Sequence, residues 1–548
     1  MPIRRLDHLD LPESRVWNYR TGPRWAKMRF EGGAIPAGSD ATMVQTLQVT
    51  LEPGRTEPIF QQIADAIASR IRTGALPAHA RLPPTRDLAA SLGTHRGTVV
   101  RAYDVLTEAG FVISHVGRGT FVADTLLPPS STPTSRAEPT PTVGLAWASL
   151  LSRTASAEPL RRGDRLARQS PRPDAIDLSR FQPALDLRPD DALRRCLDHV
   201  LRTQGPKALG YAPREGVREL RVAIAQDLVR RGIPATESQV VVTSGSQQAL
   251  DWLARAFVDP GDAFLVEEPT YSGVLNLLSA AGARPVGVPG DREGPDPEAL
   301  ARLGRPGTKG FYLMPNGSNP TGRTMSLERR RAVVAWSRRA GIPIIEDDYG
   351  ADMYLDQPPP PALRALDGQV LHVGTFSKKL APALRIGFLV APEALHDHLV
   401  PLKHAMDLGS SALLQAALAE FMDRGYLAAH TAKIRAAYRE RRDALVEALE
   451  AHLPRAVTWE QPTAGVLLWL RLPEGLDSES VFDLAHRHGV LVSPGTVNSV
   501  NGQGAGGLRL AFCTETPDRL REGARRLGRA IEEALSLAKT RGPRLELV

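Results

Sequence analysis

The most informative stretch of this 548-residue sequence is GTFSKKLAPALRIGF, residues 374–388. It follows a short apolar run that is typical of a β-strand, and it places Lys378 directly after Ser377 and seven residues before Arg385. A lysine that reacts with the aldehyde of a phosphorylated cofactor needs phosphate anchors close to its amine. A hydroxyl and a forked guanidinium meet that need. The segment therefore has the residue types of such a site, with Lys378 or Lys379 as the amine.

The sequence around this segment alternates between strands and helices. Short apolar strands are predicted at residues 239–243, 263–267, 310–314, 342–346 and 370–375, with helical stretches between them. This pattern is typical of a mostly parallel α/β sheet covered on both faces. Further strands near residues 465–470, 490–492 and 508–512 predict a smaller α+β lobe at the C-terminal end.

Six more motifs occur in a fixed order along residues 176–540. They are GYAPREG (210–216), SGSQQ (244–248), EPTYSG (268–273), PNGSNPTG (315–322), IEDDY (345–349) and GLRLAF (507–512). Together with the segment at 374–388, this set resembles the fold-type-I, pyridoxal-phosphate-dependent aminotransferases. The resemblance implies the fold of that family and pyridoxal 5'-phosphate as the cofactor.

The resemblance also implies a role for each matching residue. Lys378 is implied as the covalent attachment point and Lys379 as a variable neighbour, because the spacing to Arg385 fits Lys378. Asp347, which follows a predicted strand, is implied as the partner of the protonated pyridine nitrogen. The other implied cofactor contacts are Ser246, Gln247, Ser377 and Arg385 at the phosphate, Asn319 and Tyr349 at the phenolic oxygen, Tyr271 on the ring face, and Thr375.

Two residues are implied to act beyond the cofactor. Arg509, in the motif at 507–512, stands where aminotransferases hold the α-carboxylate of the substrate, and it is therefore the candidate for an effector carboxylate. Tyr211 resembles a tyrosine that reaches the site of the neighbouring subunit.

The N-terminal part of the chain has a different pattern. Isoleucines recur every four residues at positions 59, 63, 67 and 71, which lines one face of a helix. Helices are also predicted at 85–92 and 95–109, followed by β-runs at 111–115 and 120–123 that a Gly-Arg-Gly tip joins. Three helices and a glycine-tipped hairpin predict a winged helix-turn-helix.

The motifs RLPPTRDLA (81–89), LGTHRGTVVRAY (92–103), GFV (110–112) and GRGTFV (117–122) resemble the winged helix of GntR-type regulators. The resemblance implies double-stranded operator DNA as a partner, with the start of the third helix in the major groove. The implied DNA contacts are Arg86, His95, Arg96, Thr98, Gly117 and Arg118. His95 replaces the usual Ser or Thr, and Val100 stands where some relatives carry a contacting Arg, so the operator sequence stays open.

The sequence predicts four regions. They are a poorly ordered extension at 1–50, the winged helix-turn-helix at 51–124, a long linker at 125–175 and the aminotransferase-like domain at 176–540. The linker is rich in Pro, Ser and Thr and too poor in apolar residues to fold. Its basic residues between 161 and 172 are interpreted as solvated, with DNA contact as the alternative. A second interpretation of the first region places the biological start at Met43.

The bulk properties exclude several classes of protein. No apolar stretch approaches the roughly 20 residues of a membrane helix, and the N-terminus lacks the apolar core of a secretory signal. Two cysteines, Cys196 and Cys513, allow neither a disulfide framework nor a multi-cysteine zinc site, so we expect a cytoplasmic protein without a structural metal. A net charge of +7 permits nucleic-acid binding without requiring it.

The two halves together resemble the MocR-type subfamily of GntR regulators, whose members form head-to-tail homodimers. Three functions compete: a regulator that senses a ligand, a working aminotransferase, and a scaffold without cofactor. Lys378, Asp347 and Arg385 argue against the scaffold, and the winged helix argues against a purely metabolic enzyme. We therefore expect a transcription regulator whose effector is an amino acid or pyridoxal phosphate itself. The regulated genes and the sign of regulation stay open.

Overall fold

The computed structural model describes residues 58–72, 75–77, 79–108, 111–115, 119–123, 150–152, 154–156, 174–500 and 503–541. The chain divides into two compact units, residues 1–143 and 144–548, and each is described by itself. The predicted extension at 1–50 and the wing residues Gly117 and Arg118 lie outside the described residues, as does most of the predicted linker at 125–175.

The smaller unit contains three helices and one hairpin. The helices are α1 (Ile59–Arg72), α2 (Thr85–Ser91) and α3 (Arg96–Glu108), and the antiparallel strands are β1 (Val112–His115) and β2 (Gly119–Val122). These elements match the predicted ones to within about two residues at each end. The predicted winged helix-turn-helix is confirmed.

The isoleucine pattern explains how α1 packs. Ile63, Ile67 and Ile71 are at most 1% exposed, whereas Ile59, at the first position of the helix, is 48% exposed. Burying one such side chain stabilises a fold by about 1.5–3 kcal/mol relative to leaving it in water. Tyr103 of α3 adds a hydrogen bond to this packing: its hydroxyl donates to the carbonyl of Pro83 at 2.8 Å.

A seven-stranded sheet forms the centre of the larger unit. Its order is β4-β12-β11-β10-β9-β5-β6. Every neighbouring pair is parallel except those of β12, which runs antiparallel to both β4 and β11. The strands are β4 (Val240–Thr243), β5 (Ala263–Glu267), β6 (Arg284–Val288), β9 (Phe311–Leu313), β10 (Ile344–Asp347), β11 (Leu371–Thr375) and β12 (Gly387–Val390).

Helices cover this sheet and continue into the C-terminal lobe. They are α4 (Asp190–Gln204), α5 (Arg218–Arg230), α6 (Ser246–Phe257), α7 (Ser272–Ala280), α8 (Pro297–Leu303), α9 (Leu327–Ala340), α10 (Leu363–Leu366), α11 (His396–Asp407), α12 (Ala412–Asp423), α13 (Tyr426–His452), α14 (Ser478–Arg487) and α15 (Pro517–Arg541). Apolar residues of β4, β11 and β12 are buried on both faces, which explains their near-continuous hydrophobic sequences.

The C-terminal lobe carries a second, four-stranded antiparallel sheet. Its order is β13-β14-β17-β16, with strands β13 (Thr458–Trp459), β14 (Leu467–Arg471), β16 (Ser493–Pro494) and β17 (Gly507–Ala511). The strand predicted near 490–492 is β15 (Val490–Leu491), which pairs in parallel with β3 (Ile176–Asp177) instead of joining this sheet. The start of the domain therefore packs on its C-terminal lobe. A short hairpin completes the strands, β7 (Gly290–Asp291) with β8 (Gly294–Pro295).

The topology places the candidate site. The loops after β4, β5, β9, β10 and β11 all begin at the same edge of the large sheet, because these strands run in one direction. Ligand sites of open α/β sheets lie outside the carboxyl ends of such strands. Among the described residues, no helix is long and apolar enough to cross a membrane.

Candidate functional site

Lys378 follows β11 and is half-buried. Its Nζ donates to the carbonyl of Phe181 at 2.7 Å and lies 4.1 Å from the centroid of the Phe181 ring. Burial lowers the pKa of this amine to about 8, because an ammonium group is costly to remove from water. A fraction of Lys378 is therefore neutral, and so nucleophilic, near neutral pH.

Lys379 has a different environment. It is 4% exposed, and its Nζ donates to the carboxylate of Asp352. Arg231 lies 3.8 Å from the same carboxylate, and these two cations hold the pKa of Asp352 below its usual value although burial acts in the opposite direction. Lys379 is thus bound within a buried ion network.

Asp347 ends β10 and is 2% exposed. Its Oδ2 accepts from the hydroxyl of Tyr312 at 2.9 Å, whereas its Oδ1 is buried without a hydrogen-bond partner among the described residues. Burial raises the pKa of Asp347 to about 7, while the Tyr312 hydrogen bond and His372 act to lower it. One carboxylate oxygen is therefore available to a ligand.

Arg509 and Asn319 meet between β17 and the loop after β9. Arg509 Nη1 donates to Asn319 Oδ1 at 3.3 Å, and Nη2 donates to the carbonyl of Ser179 at 3.0 Å. Asn319 Nδ2 and Arg509 Nε are buried without a partner among the described residues. Since a buried polar group without a partner costs about 1–3 kcal/mol, both atoms mark places where a ligand acceptor fits.

Two tyrosines line the same space. The Tyr271 hydroxyl donates to Gln247 Oε1 at 3.0 Å, next to the start of α6. The Tyr349 hydroxyl donates to the carbonyl of Gly317, and its ring meets Phe181 edge to face at a centroid distance of 5.1 Å. Phe181 thus contacts both Lys378 and Tyr349.

The turn where β4 leads into α6 brings a helix N-terminus next to Arg385. Ser246 begins α6, whose first turn presents backbone N–H groups without intrahelical partners. Arg385 Nη2 donates to the carbonyl of Ser244 at 2.8 Å, so the guanidinium lies beside this turn. Thr375 and Ser377 are buried, and Thr375 Oγ1 accepts from the Ser377 N–H at 3.2 Å. Free N–H groups and a cation form a site suited to a phosphate.

Tyr211 lies apart from these residues in the single chain. It is 86% exposed. The role implied for it requires a second subunit.

Three further residues contact the candidate site residues, and the sequence motifs do not include them. Phe181 and Ser179 come from a segment nearly 200 residues before Lys378, and no motif marks them. Tyr312 lies within an apolar strand, where it looks like an ordinary core residue. A buried tyrosine hydroxyl, which needs an acceptor, is the one signal that the sequence offers for it.

In the smaller unit, the candidate DNA contacts lie at one end of the helical pair. His95 precedes α3 and Arg96 begins it, and both are exposed. Arg96 Nε donates to Thr85 Oγ1 at 3.5 Å, next to the exposed Arg86 of α2. Thr98 is half-buried one turn away. An exposed cationic helix start of this kind is the part of a helix-turn-helix that reads the major groove.

Comparison with known proteins identifies the family. Residues 59–122 match the family model for bacterial regulatory proteins of the gntR family, and residues 174–527 match that for aminotransferase class I and II. The probable rhizopine catabolism regulatory protein MocR of Rhizobium meliloti is 35% identical over 481 residues, which are 86% of this chain and 94% of that protein. The chain belongs to the MocR-type subfamily of GntR regulators. The predicted family and the predicted pairing of the two folds are confirmed.

Relatives of this MocR-type chain also include enzymes. The 2-aminoadipate transaminase of Thermus thermophilus is 34% identical over 379 residues, which are 68% of this chain and 94% of the enzyme. The crystal structure of the α-aminoadipate aminotransferase LysN of that species, in complex with N-(5'-phosphopyridoxyl)-L-leucine, aligns with a TM-score of 0.66. It is 32% identical and covers 72% of this chain and all of its own.

Proposed function

We propose that this chain is a DNA-binding transcription regulator whose aminotransferase-like domain binds pyridoxal phosphate and senses an amino acid or the cofactor itself. The observation that carries the proposal is the presence, on one chain, of an exposed helix start with His95 and Arg96 and of a cluster of buried polar atoms that have no partner among the described residues. A metabolic enzyme needs no DNA-reading helix. A MocR-type regulator needs both parts.

The unpartnered atoms support the cofactor. Asp347 Oδ1 is an acceptor that suits a pyridine N–H, and Asn319 Nδ2 is a donor that suits a phenolic oxygen. When bound, pyridoxal phosphate supplies an aldehyde and an electron-withdrawing ring. Lys378 would hold the aldehyde, since the lowered pKa of its amine keeps part of it neutral near neutral pH.

The remaining cofactor contacts follow from the position of each residue. Tyr349 would turn its hydroxyl from the Gly317 carbonyl to the phenolic oxygen, and Tyr271 would lie on the ring face. The phosphate would bind at the start of α6, where the helix dipole and free N–H groups favour an anion. The residues proposed there are Ser246, Gln247, Thr375, Ser377 and Arg385.

Arg509 supports an amino acid as effector. Its guanidinium is buried, and burial lowers its pKa from the usual value. Neutral carbonyl and amide oxygens are its hydrogen-bond acceptors among the described residues. A carboxylate would satisfy this cation better than a neutral oxygen does, because it adds the attraction between opposite charges and can accept from both branches of the guanidinium.

A head-to-tail homodimer completes the proposal. Tyr211 is 86% exposed, which suits a side chain that reaches the pocket of the partner subunit. The cytoplasm is the proposed location, since Cys196 and Cys513 are both free and buried thiols.

The decisive experiment selects DNA fragments from a random library with the purified, cofactor-loaded protein. Binding of the selected fragments is then measured by fluorescence anisotropy with and without each common amino acid, and with and without pyridoxal phosphate. We expect sequence-specific binding whose dissociation constant changes severalfold with one of these ligands. Absence of any sequence-specific binding would overturn the proposal.

A working aminotransferase is the second candidate function. The observation in its favour is that Lys378, Asp347 and Arg509 converge on one pocket with the lysine pKa lowered. Steady-state transamination assays separate the two functions. Turnover of about 1–1000 per second, the ordinary range for enzymes, would favour the enzyme if the protein also failed to bind DNA.

A further inference from the structure

Tyr312 is the one side chain among the described residues that donates a hydrogen bond to Asp347. It lies in the middle of β9 and is completely buried. In the parallel pairing of β9 with β10, Tyr312 is opposite Ile345, two residues before Asp347. Side chains two residues apart on a strand point to the same face, so the register itself directs the tyrosine toward the carboxylate.

The hydrogen bond from Tyr312 leaves the two carboxylate oxygens of Asp347 in different environments. Oδ2 is held by the Tyr312 hydroxyl at 2.9 Å, and Oδ1 is buried without a partner among the described residues. A carboxylate with one oxygen fixed cannot rotate freely. The unpartnered oxygen therefore has a defined direction before any ligand arrives.

We propose that Tyr312 is a positioning residue that fixes Asp347 and keeps it in its charged form, so that Oδ1 can pair with the pyridine N–H of the cofactor. This inference rests on the proposed cofactor site and adds a residue to it. A phenylalanine would fill the same space in β9, which leaves the hydrogen bond as the function of the hydroxyl.

The electrostatic surroundings explain why Asp347 needs such a donor. Burial drives the pKa of Asp347 upward and the Tyr312 hydrogen bond opposes this rise, and the net pKa is about 7. Among the described residues, Asp348 and Glu267 disfavour the charge of Asp347, whereas His372 and Lys378 favour it. The tyrosines that interact electrostatically with Asp347 are Tyr271, Tyr312 and Tyr349.

Tyr312 is suited to the task because it stays protonated. Burial and the nearby carboxylates raise its pKa well above the usual value, so its hydroxyl stays protonated throughout the pH range in which Asp347 titrates. The protonation state of Tyr312 therefore does not change, and Asp347 is the group that titrates.

The test is a double-mutant cycle of Tyr312→Phe and Asp347→Asn, read by the visible absorbance of the bound cofactor as a function of pH. Without the Tyr312 hydroxyl, Asp347 is protonated at a higher pH. A neutral Asp347 no longer stabilises a protonated pyridine nitrogen, so the cofactor ring withdraws electrons less strongly. The nitrogen at Lys378 then keeps its proton to a higher pH. We expect the midpoint of the absorbance change to rise by about 1 pH unit in Tyr312→Phe, and the dissociation constant of the cofactor to rise about tenfold.

The other arms of the cycle separate positioning from packing. In the Asp347→Asn background, Tyr312→Phe should produce no further shift, since the group through which it acts is gone. Tyr103→Phe, which deletes a buried hydroxyl in the smaller unit, should leave the midpoint at its original value. An unchanged midpoint in Tyr312→Phe, or an equal shift in the Asp347→Asn background, would overturn the inference.

A second measurement covers the case in which Tyr312→Phe does not fold. Fluorotyrosine at position 312 keeps the shape and is a stronger donor, so the midpoint should move downward, and an unmoved midpoint would refute the role. If the original protein itself binds no pyridoxal phosphate, the proposed function is refuted. If it binds the cofactor but the midpoint does not respond to the changes at Tyr312, only the role of Tyr312 is refuted.

Discussion

Lys378 and Lys379 are consecutive residues whose ammonium groups lie in separate environments. Nζ of Lys378 lies 2.7 Å from the carbonyl of Phe181 in the candidate pocket, whereas Nζ of Lys379 pairs with the buried carboxylate of Asp352. Lys378 combines a lowered pKa with contacts that a ligand can replace, whereas Lys379 is held by an ion pair. The adjacent lysines therefore differ in what their loss should do.

The first prediction concerns covalent attachment of the cofactor. Lys378→Ala should abolish borohydride-dependent fixation of pyridoxal phosphate, because the attacking amine is gone. Lys379→Ala should retain fixation but lower the thermal midpoint, because Asp352 would lose one of its cationic neighbours. Since Arg231 remains 3.8 Å away, the cost should stay below the roughly 3–5 kcal/mol of a buried charge left without any partner. Mass spectrometry of the reduced protein measures the fixation. Fixation that persists in Lys378→Ala and disappears in Lys379→Ala would reverse the assignment.

The apolar patterns predict most of the central sheet. Five of the seven central strands are evident from the sequence. The sequence does not predict β6, because Pro285 and Gly287 interrupt its apolar pattern. It does not predict β12 either, because Gly387 and Phe388 end the motif at 374–388 and leave only a short apolar run after it. An apolar run of four residues carries no sign of direction, so the antiparallel course of β12 was not predictable either.

In the candidate site, some residues lie in recognisable motifs and others do not. Asp347, Asn319 and Arg509 stand in short motifs and converge in the structure. Phe181 and Tyr312 have no local signal, because their roles depend on contacts across the fold: the Phe181 carbonyl meets an amine 197 residues away.

The second prediction concerns DNA. Arg96→Ala should weaken binding of the preferred sequence by about 1–3 kcal/mol and relax base preference, as expected for a guanidinium that contacts a base edge. Arg86→Ala should weaken all sequences about equally and reduce the salt dependence, as expected for a phosphate contact. Fluorescence anisotropy on specific and scrambled duplexes measures both. Unchanged binding in both variants would mean that the recognition helix is elsewhere.

The third prediction concerns backbone packing at the turn between β4 and α6, where the phosphate is proposed to bind. A Cβ on Gly387 would lie 2.6 Å from the carbonyl carbon of Gly245 and 2.7 Å from the N of Ser246. Because these are backbone atoms, Gly387→Ala should displace the first turn of α6, weaken cofactor binding and cost about 1–3 kcal/mol of stability. Gly368→Ala is the matched control, since a Cβ there meets nothing within 4 Å. Equal cofactor affinities in the two variants would contradict this account.

The fourth prediction concerns pH and stability. Glu267 ends β5, and burial raises its pKa to about 8, although its carboxyl accepts from Ser318 Oγ and the Met314 N–H. The folded chain therefore binds a proton that the unfolded chain releases above about pH 4.5. The stability associated with this proton is fully present below that pH and is lost as pH rises through about 8.

Glu267→Gln should remove this dependence, because the amide keeps an acceptor oxygen and does not titrate. Thermal unfolding between pH 5 and 9 should show a flatter profile, with a gain on the order of 2–4 kcal/mol at the alkaline end. Glu474→Gln, an exposed carboxyl of the same unit, serves as control. Parallel pH profiles of Glu267→Gln and the original protein would rule out a titrating Glu267.

The last prediction separates the two classes of effector through Arg509. If an amino acid is sensed, its carboxylate takes the place of the Ser179 carbonyl on this buried guanidinium. Ser179 lies two residues after β3, so the exchange acts on the segment that enters the domain. In Arg509→Gln loaded with cofactor, the response of DNA binding to the amino acid should require an effector concentration about tenfold or more higher. Basal DNA binding should be unchanged.

If pyridoxal phosphate alone is sensed, no carboxylate reaches Arg509 and the variant should respond to the cofactor as the original protein does. Arg471→Gln is the matched control, since this arginine is exposed on the neighbouring strand β14 and pairs with Glu460. It should keep the full response in either case. A full response of Arg509→Gln to pyridoxal phosphate, without any response of the original protein to amino acids, would refute amino-acid sensing while leaving the cofactor site intact.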